Sequence, residues 1–269
     1  MEGSIHMYCI NLKQRGDRWK RFSEQPELKE LMKHHSFERF EGISGATIDI
    51  QGDSRISLRT KRNIKEHIRR DHEELDSAGG VGCYLSHTTV WKQFLERPEP
   101  YAIIFEDDAI FCEDFEKKLE ETVQNKPIDT DILFFGGRFD ADFKMEEGTY
   151  LPISENIVAH KSIRWEQRNH RNHDRTYIGY IISNKLANSL IQHFNKMIDT
   201  YLPIDQWAIK YCMNNGIQIL NTYPLLCHSP KDSPESDIRW SSSDKGRDEG
   251  GGGGGKRGGK RLLSKPIRS

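Results

Sequence analysis

The 269-residue sequence contains no apolar run near the roughly 18–20 residues that a transmembrane helix needs. It also has no Asn-x-Ser/Thr sequon, no Cys-x-x-Cys pair and no Walker-type phosphate loop. Met1 to His6 lack the basic and apolar regions of a signal peptide, so the expected location is cytoplasmic. The five cysteines (Cys9, Cys83, Cys112, Cys212 and Cys227) are odd in number, which excludes a disulfide framework, and their spacing excludes a zinc finger. Most stand in apolar company, where a thiol acts as a small hydrophobe. Single-sign charge is lacking too: 40 Lys+Arg face 41 Asp+Glu for a net −1. That balance hides a basic end, because 250–269 hold six Lys/Arg and no acid, which leaves 1–249 at −7. A mildly acidic body argues against general nucleic-acid binding.

The periodicity predicts strands alternating with helices, hence an α/β sheet that is at least partly parallel. Ile5–Asn11 reads as a first strand, followed by a helix over Trp19–His35 that breaks or restarts at Pro26. Phe37–Ile43 reads as a second strand. Residues 50–76, rich in charge, read as a surface helix or a mobile loop. A helix with one buried face runs from Gly82 towards Pro98. Tyr101–Phe105 is a continuous apolar run, expected to be a strand buried on both faces, and Asp131–Phe135 reads as another buried strand, with a helix over Asp114–Gln124 between them. Beyond them lie a strand-like Arg175–Ser183, a helix capped by Asn184, a helix opened by Pro203 and a late strand at Ile217–Leu220. Six consecutive glycines at 250–255 cannot nucleate a core. The expected division is therefore a folded domain over 1–242 and a disordered Gly/Lys/Arg-rich tail over 243–269.

Chemistry concentrates at Glu106-Asp107-Asp108, directly after the Tyr101–Phe105 strand. Open α/β sheets take ligands beyond the carboxyl ends of their strands. Three adjacent carboxylates repel one another, and hard oxygens of this kind suit Mg²⁺ or Mn²⁺; a solvated strand end stands as the alternative. Asn11, Arg15 and Arg18 follow the first strand, where guanidinium groups can pair with phosphate oxygens or form a solvated turn. Gly82-Cys-Tyr-Leu-Ser-His87 offers a glycine for close backbone approach, with Ser86 and His87 as polar contacts near a helix start. Asp205 sits in the first turn of its helix, either as a dipole partner or as a general base. His228 emerges late from an apolar segment. His160, His170 and His173 read as a basic surface loop.

In this order, Asn11-Leu-x-x-Arg15-x-Asp17-Arg18, Gly82-Cys-Tyr-Leu-Ser-His87 with Trp91, Phe105-Glu-Asp-Asp-Ala109, Tyr177–Ser183 and Pro203-Ile-Asp205 resemble glycosyltransferase family 25 over residues 5–240. The resemblance implies a GT-A type, Rossmann-like nucleotide-sugar domain with a mixed central sheet. It also implies metal-dependent, inverting transfer of a hexose, typically galactose, from a UDP-sugar to a glycan, glycolipid or protein hydroxyl. Carried onto this sequence, it makes Asp108 the direct ligand of Mn²⁺ or Mg²⁺, with Glu106 beside it and His228 as the late ligand. Asn11, Arg15, Arg18, Gly82, Ser86 and His87 would border the donor, and Asp205 would be the base. Gly179 departs from the pattern, standing where alanine is commoner. Two rivals remain: a catalytically inactive carbohydrate- or protein-binding relative, and another metal-dependent nucleotide enzyme such as a nucleotidyltransferase. The basic tail is read as a solvated extension, with peripheral contact to an anionic membrane as the alternative.

Overall fold

A computed structural model describes residues 5–68, 74–138, 150–160, 177–196 and 201–229. The expected tail over 243–269, together with His170, His173 and Arg175, lies outside the described residues, as do the side chain of His160 and 69–73 of the charged stretch.

A strand that is apolar on both sides needs partners on both edges and cover on both faces. His6–Leu12 (β1) is such a strand, pairing in parallel with Phe37–Gly42 (β2) on one edge and with Tyr101–Glu106 (β3) on the other. Between β1 and β2 run Gly16–Ser23 (α1) and Pro26–His34 (α2), so Pro26 restarts the helix as expected. Leu58–Glu66 (α3) and Ala78–Leu95 (α4) precede β3. Thus the charged 50–76 stretch holds a helix, which buries Thr60 and Asn63.

Helix α4 starts a full turn earlier than the sequence suggests, because the Ser77 hydroxyl accepts from the Gly80 N–H at 3.1 Å and caps it. Gly79 and Gly80 therefore lie inside the helix instead of ahead of it, and Ser86 and His87 fall in its middle.

After the short Ile110–Phe111 (β4) and the helix Phe115–Asn125 (α5) come Ile132–Phe134 (β5), Gly136–Arg138 (β6), Tyr150–Ser154 (β7) and Ile157–His160 (β8). Gly179–Ser183 (β9), Asn184–Lys196 (α6), Ile204–Asn214 (α7), Ile219–Thr222 (β10) and Cys227–Ser229 (β11) complete the elements. The cap of α6 is Ser183, whose hydroxyl accepts from the Leu186 N–H at 3.0 Å, so the expectation for Asn184 shifts by one residue.

The main sheet has the order β2-β1-β3-β9-β5-β10-β8-β7, and a second sheet has β4-β11-β6. Strand β9 runs antiparallel to both β3 and β5, which makes the central sheet mixed. One face packs on α4, α6 and α7 through Tyr84, Trp91, Phe194 and Trp207; the other packs on α1, α2 and α5 through Phe22, Leu28, Leu31 and Phe115. Each such side chain contributes about 1.5–3 kcal/mol by leaving water. Cys9, Cys212 and Cys227 are buried in these clusters, where burial raises their thiol pKa values and keeps them protonated. A methyl group on Gly179 would meet Cys227 Sγ at 2.8 Å and Phe105 Cδ1 at 3.1 Å, which accounts for glycine there.

Candidate functional site

The chain leaves β1 to build β2 on one edge, then returns to build β3 on the other. The connections after β1 and β3 therefore diverge and open a crevice at the carboxyl ends of the parallel strands. A cavity of about 390 Å³ occupies it, walled by Ile10 and Leu12 of β1, Ile43–Ala46 after β2, one face of α4, and Glu106, Asp107 and Asp108 at the end of β3.

The acids are held from below and from the side. Asp107 is buried and accepts from Asn11 Nδ2, while its other oxygen lies 2.7 Å from the Arg18 guanidinium. Arg18 also reaches Asp108 Oδ2 at 3.3 Å, so one cation bridges two carboxylates. Asn11 is itself fixed, because its Oδ1 accepts from Arg39 Nε at 3.0 Å and its Nδ2 also donates to the Arg15 carbonyl at 3.1 Å. Asp108 Oδ2 accepts from the Ser229 hydroxyl at 3.0 Å. The Gln25 side chain clamps the loop that follows, donating to the Ala109 carbonyl at 2.9 Å and accepting from the Phe111 N–H at 3.1 Å. Burial pushes the Asp107 pKa up to about 6, against the opposing pull of Arg18 and Asn11.

Glu106 points the other way, towards α4. His87 Nε2 lies 3.2 Å from Glu106 Oε1, and Cys83 Sγ lies 3.7 Å from the same oxygen. His87 is fully buried, its ring stacked on Tyr177, with Nδ1 2.9 Å from the Tyr180 hydroxyl. Trp91 Nε1 donates to that hydroxyl oxygen at 2.9 Å. An indole N–H can only donate and a carboxylate can only accept. The consistent assignment is therefore Trp91 to Tyr180 to His87 Nδ1, with His87 Nε2–H donating to Glu106.

Of the residues singled out in the sequence, Arg18, Ser86, His87, Glu106 and Asp108 line the cavity. Asn11 lies beneath it, bound to Asp107. Arg15 does not line it; its guanidinium grips Asp17 through two 3.0 Å hydrogen bonds. Gly82 serves a different close approach from the one expected. An added Cβ would stand 2.5 Å from the Ile43 carbonyl oxygen and 2.8 Å from the Gly45 nitrogen, so the glycine seats α4 against the Ile43–Gly45 backbone and not against a ligand. Ser86 ties the same two segments, donating to the Gly82 carbonyl at 2.7 Å and accepting from the Ile43 N–H at 2.8 Å.

Asp205 lies in the first turn of α7, off the cavity wall, with Oδ1 2.8 Å from the Gln206 N–H. His228 is off the wall too. Strand alternation sends Cys227 and Ser229 inward and leaves His228 half-buried on the opposite face, where burial lowers its pKa. Ser229 is thus the residue of this strand that reaches Asp108. Among the described residues, the carboxylate grouped closely with other metal-capable side chains at the cavity is Glu106, with Cys83 and His87.

The sequence reading gave no separate role to Asp107, Cys83, Tyr180 or Ser229. The i, i+4 spacing of Cys83 and His87, which puts them on one helix face, is the signal that could have found Cys83.

The profile described as "Glycosyltransferase family 25 (LPS biosynthesis protein)" matches residues 4–208. Procollagen galactosyltransferase 1-A of Xenopus laevis is 26% identical over 205 residues, covering 74% of this chain and 30% of that protein. Lacto-N-neotetraose biosynthesis glycosyltransferase LgtE of Neisseria meningitidis serogroup B is 26% identical over 196 residues, covering 69% of this chain and 64% of that one. "Probable inactive glycosyltransferase 25 family member 3" of Bos taurus is 24% identical over 194 residues, covering 68% of this chain and 30% of that one. This chain spans about a third of the length of the procollagen relatives that it matches.

Proposed function

This chain belongs to glycosyltransferase family 25, and from that premise we propose that its strand-end cavity binds a UDP-sugar and transfers the hexose, galactose before others, to a hydroxyl of a glycan, glycolipid or protein. The observation that carries this reading is the placement of Glu106, Asp107, Asp108 and Arg18 in the crevice where a parallel α/β edge accepts a nucleotide. Galactose is favoured by the names of the procollagen relatives.

The donor set fits a hard divalent cation. Glu106 and Asp108 both line the cavity, and Mn²⁺ or Mg²⁺ takes one or two carboxylates with water and phosphate oxygens completing its shell. Bound there, the ion would neutralise charge on the departing diphosphate. Arg18 keeps the wall from carrying three uncompensated negative charges, so an anionic diphosphate can approach. Asp205 is the proposed base. It lies in the first turn of α7, which packs against α4, the helix that walls the cavity. It takes the acceptor hydroxyl proton as that oxygen bonds to the anomeric carbon from the face opposite the diphosphate. The bond to the UDP oxygen breaks in the same displacement and the anomeric centre inverts.

The test is UDP release from UDP-galactose, UDP-glucose and UDP-N-acetylglucosamine with Mn²⁺ or EDTA. Release from one donor should need the metal and fall about 10²-fold in Asp108→Asn. Asp205→Asn should slow transfer to an acceptor by about 10²–10⁴-fold. Pyrophosphate as the product from a nucleoside triphosphate would point to nucleotidyl transfer instead. A complete lack of UDP binding by calorimetry would favour the binding-module reading, which the bovine relative's name keeps in view.

A further inference from the structure

The wall of the cavity that faces α4 has a donor chemistry unlike that of its acidic side. Cys83 and His87 stand one helical turn apart on α4, and β3 brings Glu106 up to both. Sulfur, imidazole nitrogen and carboxylate oxygen all lie within 4.8 Å of one another, with His87 Nε2 at 3.2 Å and Cys83 Sγ at 3.7 Å from Glu106 Oε1. The 3.2 Å and 3.7 Å separations approximate edges of a tetrahedron around a small ion, given metal–ligand distances of roughly 2.0–2.3 Å. A thiolate and an imidazole are poor partners for Mg²⁺ and good ones for Zn²⁺.

The surroundings supply what a metal-bound histidine requires. His87 Nδ1 meets the Tyr180 hydroxyl at 2.9 Å, and Trp91 holds that hydroxyl from the other side. A partner on the far ring nitrogen fixes orientation and tautomer in metal sites. The open side of the triad faces the cavity, which leaves room for a fourth ligand from water.

We propose that Cys83, His87 and Glu106 form a second cation site in this cavity, selective for Zn²⁺-class ions and sharing Glu106 with the hard carboxylate pair. On loading, the Cys83 thiol gives up its proton to solvent. The proton on His87 Nε2 is lost while Nδ1 takes one up and donates it to the Tyr180 oxygen, and the three ligand atoms bond to the ion. One proton is released overall, so affinity rises with pH. Because Glu106 belongs to both sets, filling this site withdraws it from the donor side and inhibits sugar transfer. That consequence rests on the proposed function, whereas the site itself does not.

The test is a Co²⁺ titration of the full chain, read by absorption. Wild type should develop the near-ultraviolet thiolate-to-cobalt band together with intense visible bands of tetrahedral cobalt, and Zn²⁺ should displace both. Cys83→Ser should lack the near-ultraviolet band, whereas Cys112→Ser, which alters the other half-buried thiol, should keep it. Tyr180→Phe should retain the spectrum with affinity about tenfold weaker. Absence of the thiolate band from the wild-type protein overturns the proposal whatever the variants do, as does its survival in Cys83→Ser. Absence of sugar transfer with Mn²⁺ and without Zn²⁺ or Co²⁺, in protein whose optical titration is intact, would instead count against the proposed function alone.

Discussion

Replacing Arg18 with methionine tests the electrostatic design of the site. The guanidinium lies 2.7 Å from Asp107 and 3.3 Å from Asp108, with only 12% of its side chain exposed. Two unit charges about 4 Å apart attract by about 4 kcal/mol at an effective dielectric near 20, and removing one member of a buried pair costs about 3–5 kcal/mol. The variant has an escape, which is protonation. Asp107 already has a pKa of about 6 with Arg18 present, because burial disfavours its charge. A carboxyl raised above its ordinary value binds more protons folded than unfolded. Its contribution to stability is therefore complete at acid pH and falls as pH climbs to the folded pKa.

Without Arg18 that pKa rises further and the fall continues to higher pH. At 1.36 kcal/mol per pH unit, a loss of about 3 kcal/mol corresponds to roughly two more pH units of decline. Arg18→Met should therefore be less stable than wild type by about 2–3 kcal/mol at pH 8 and by well under about 1 kcal/mol at pH 5. Urea denaturation at the two pH values measures both. An equal loss at each pH, or a larger loss at pH 5, would refute the argument that Arg18 compensates buried carboxylates.

Gly82→Ala drives a methyl group to 2.5 Å from the Ile43 carbonyl oxygen and should destabilise the fold by about 1–3 kcal/mol, read as a lowered Tm. The same variant should weaken UDP binding in calorimetry, since Ile43–Ala46 forms a wall of the cavity. Ser229→Ala removes the hydroxyl that donates to Asp108 at 3.0 Å and should cost about 1.5–3 kcal/mol of stability at pH 7, measured in urea. His228→Ala, next to it but facing away, should leave UDP binding within about 0.5 kcal/mol of wild type; a larger loss would return His228 to the site.

Much of this protein is legible without coordinates wherever the signal is local. Tyr101–Phe105 and Ile132–Phe135 announce buried strands because two-sided burial suits runs of five and four consecutive apolar residues. Pro26 marks a helix start because its ring fixes φ and removes a donor. Glu106-Asp107-Asp108 announces a site because so much like charge at a strand end needs compensation. Strands β4, β6, β7, β8 and β11 escape such reading. They are short or polar, and their pairing is decided by partners distant in sequence.

The sequence by itself determined the alternating α/β order, the acidic strand end and, through its ordered motifs, the family. Only the tertiary structure decided what each charged or polar group does there. Sequence adjacency presented Glu106-Asp107-Asp108 as one acidic triplet, but the turn after β3 gives Asp107 to Arg18 and Asn11 while Glu106 faces α4. The resemblance pointed to His228 as a late ligand, whereas in the fold Ser229 is the residue of that strand hydrogen-bonded to Asp108. It gave Cys83 and Tyr180 no role of their own, yet the packing of α4 and β9 on β3 brings Tyr180 to His87 and both Cys83 and His87 to Glu106. Periodicity fixes which face a side chain occupies within its own element. Which faces meet is set by the order of strands in the sheet, and that order depends on contacts up to about a hundred residues apart.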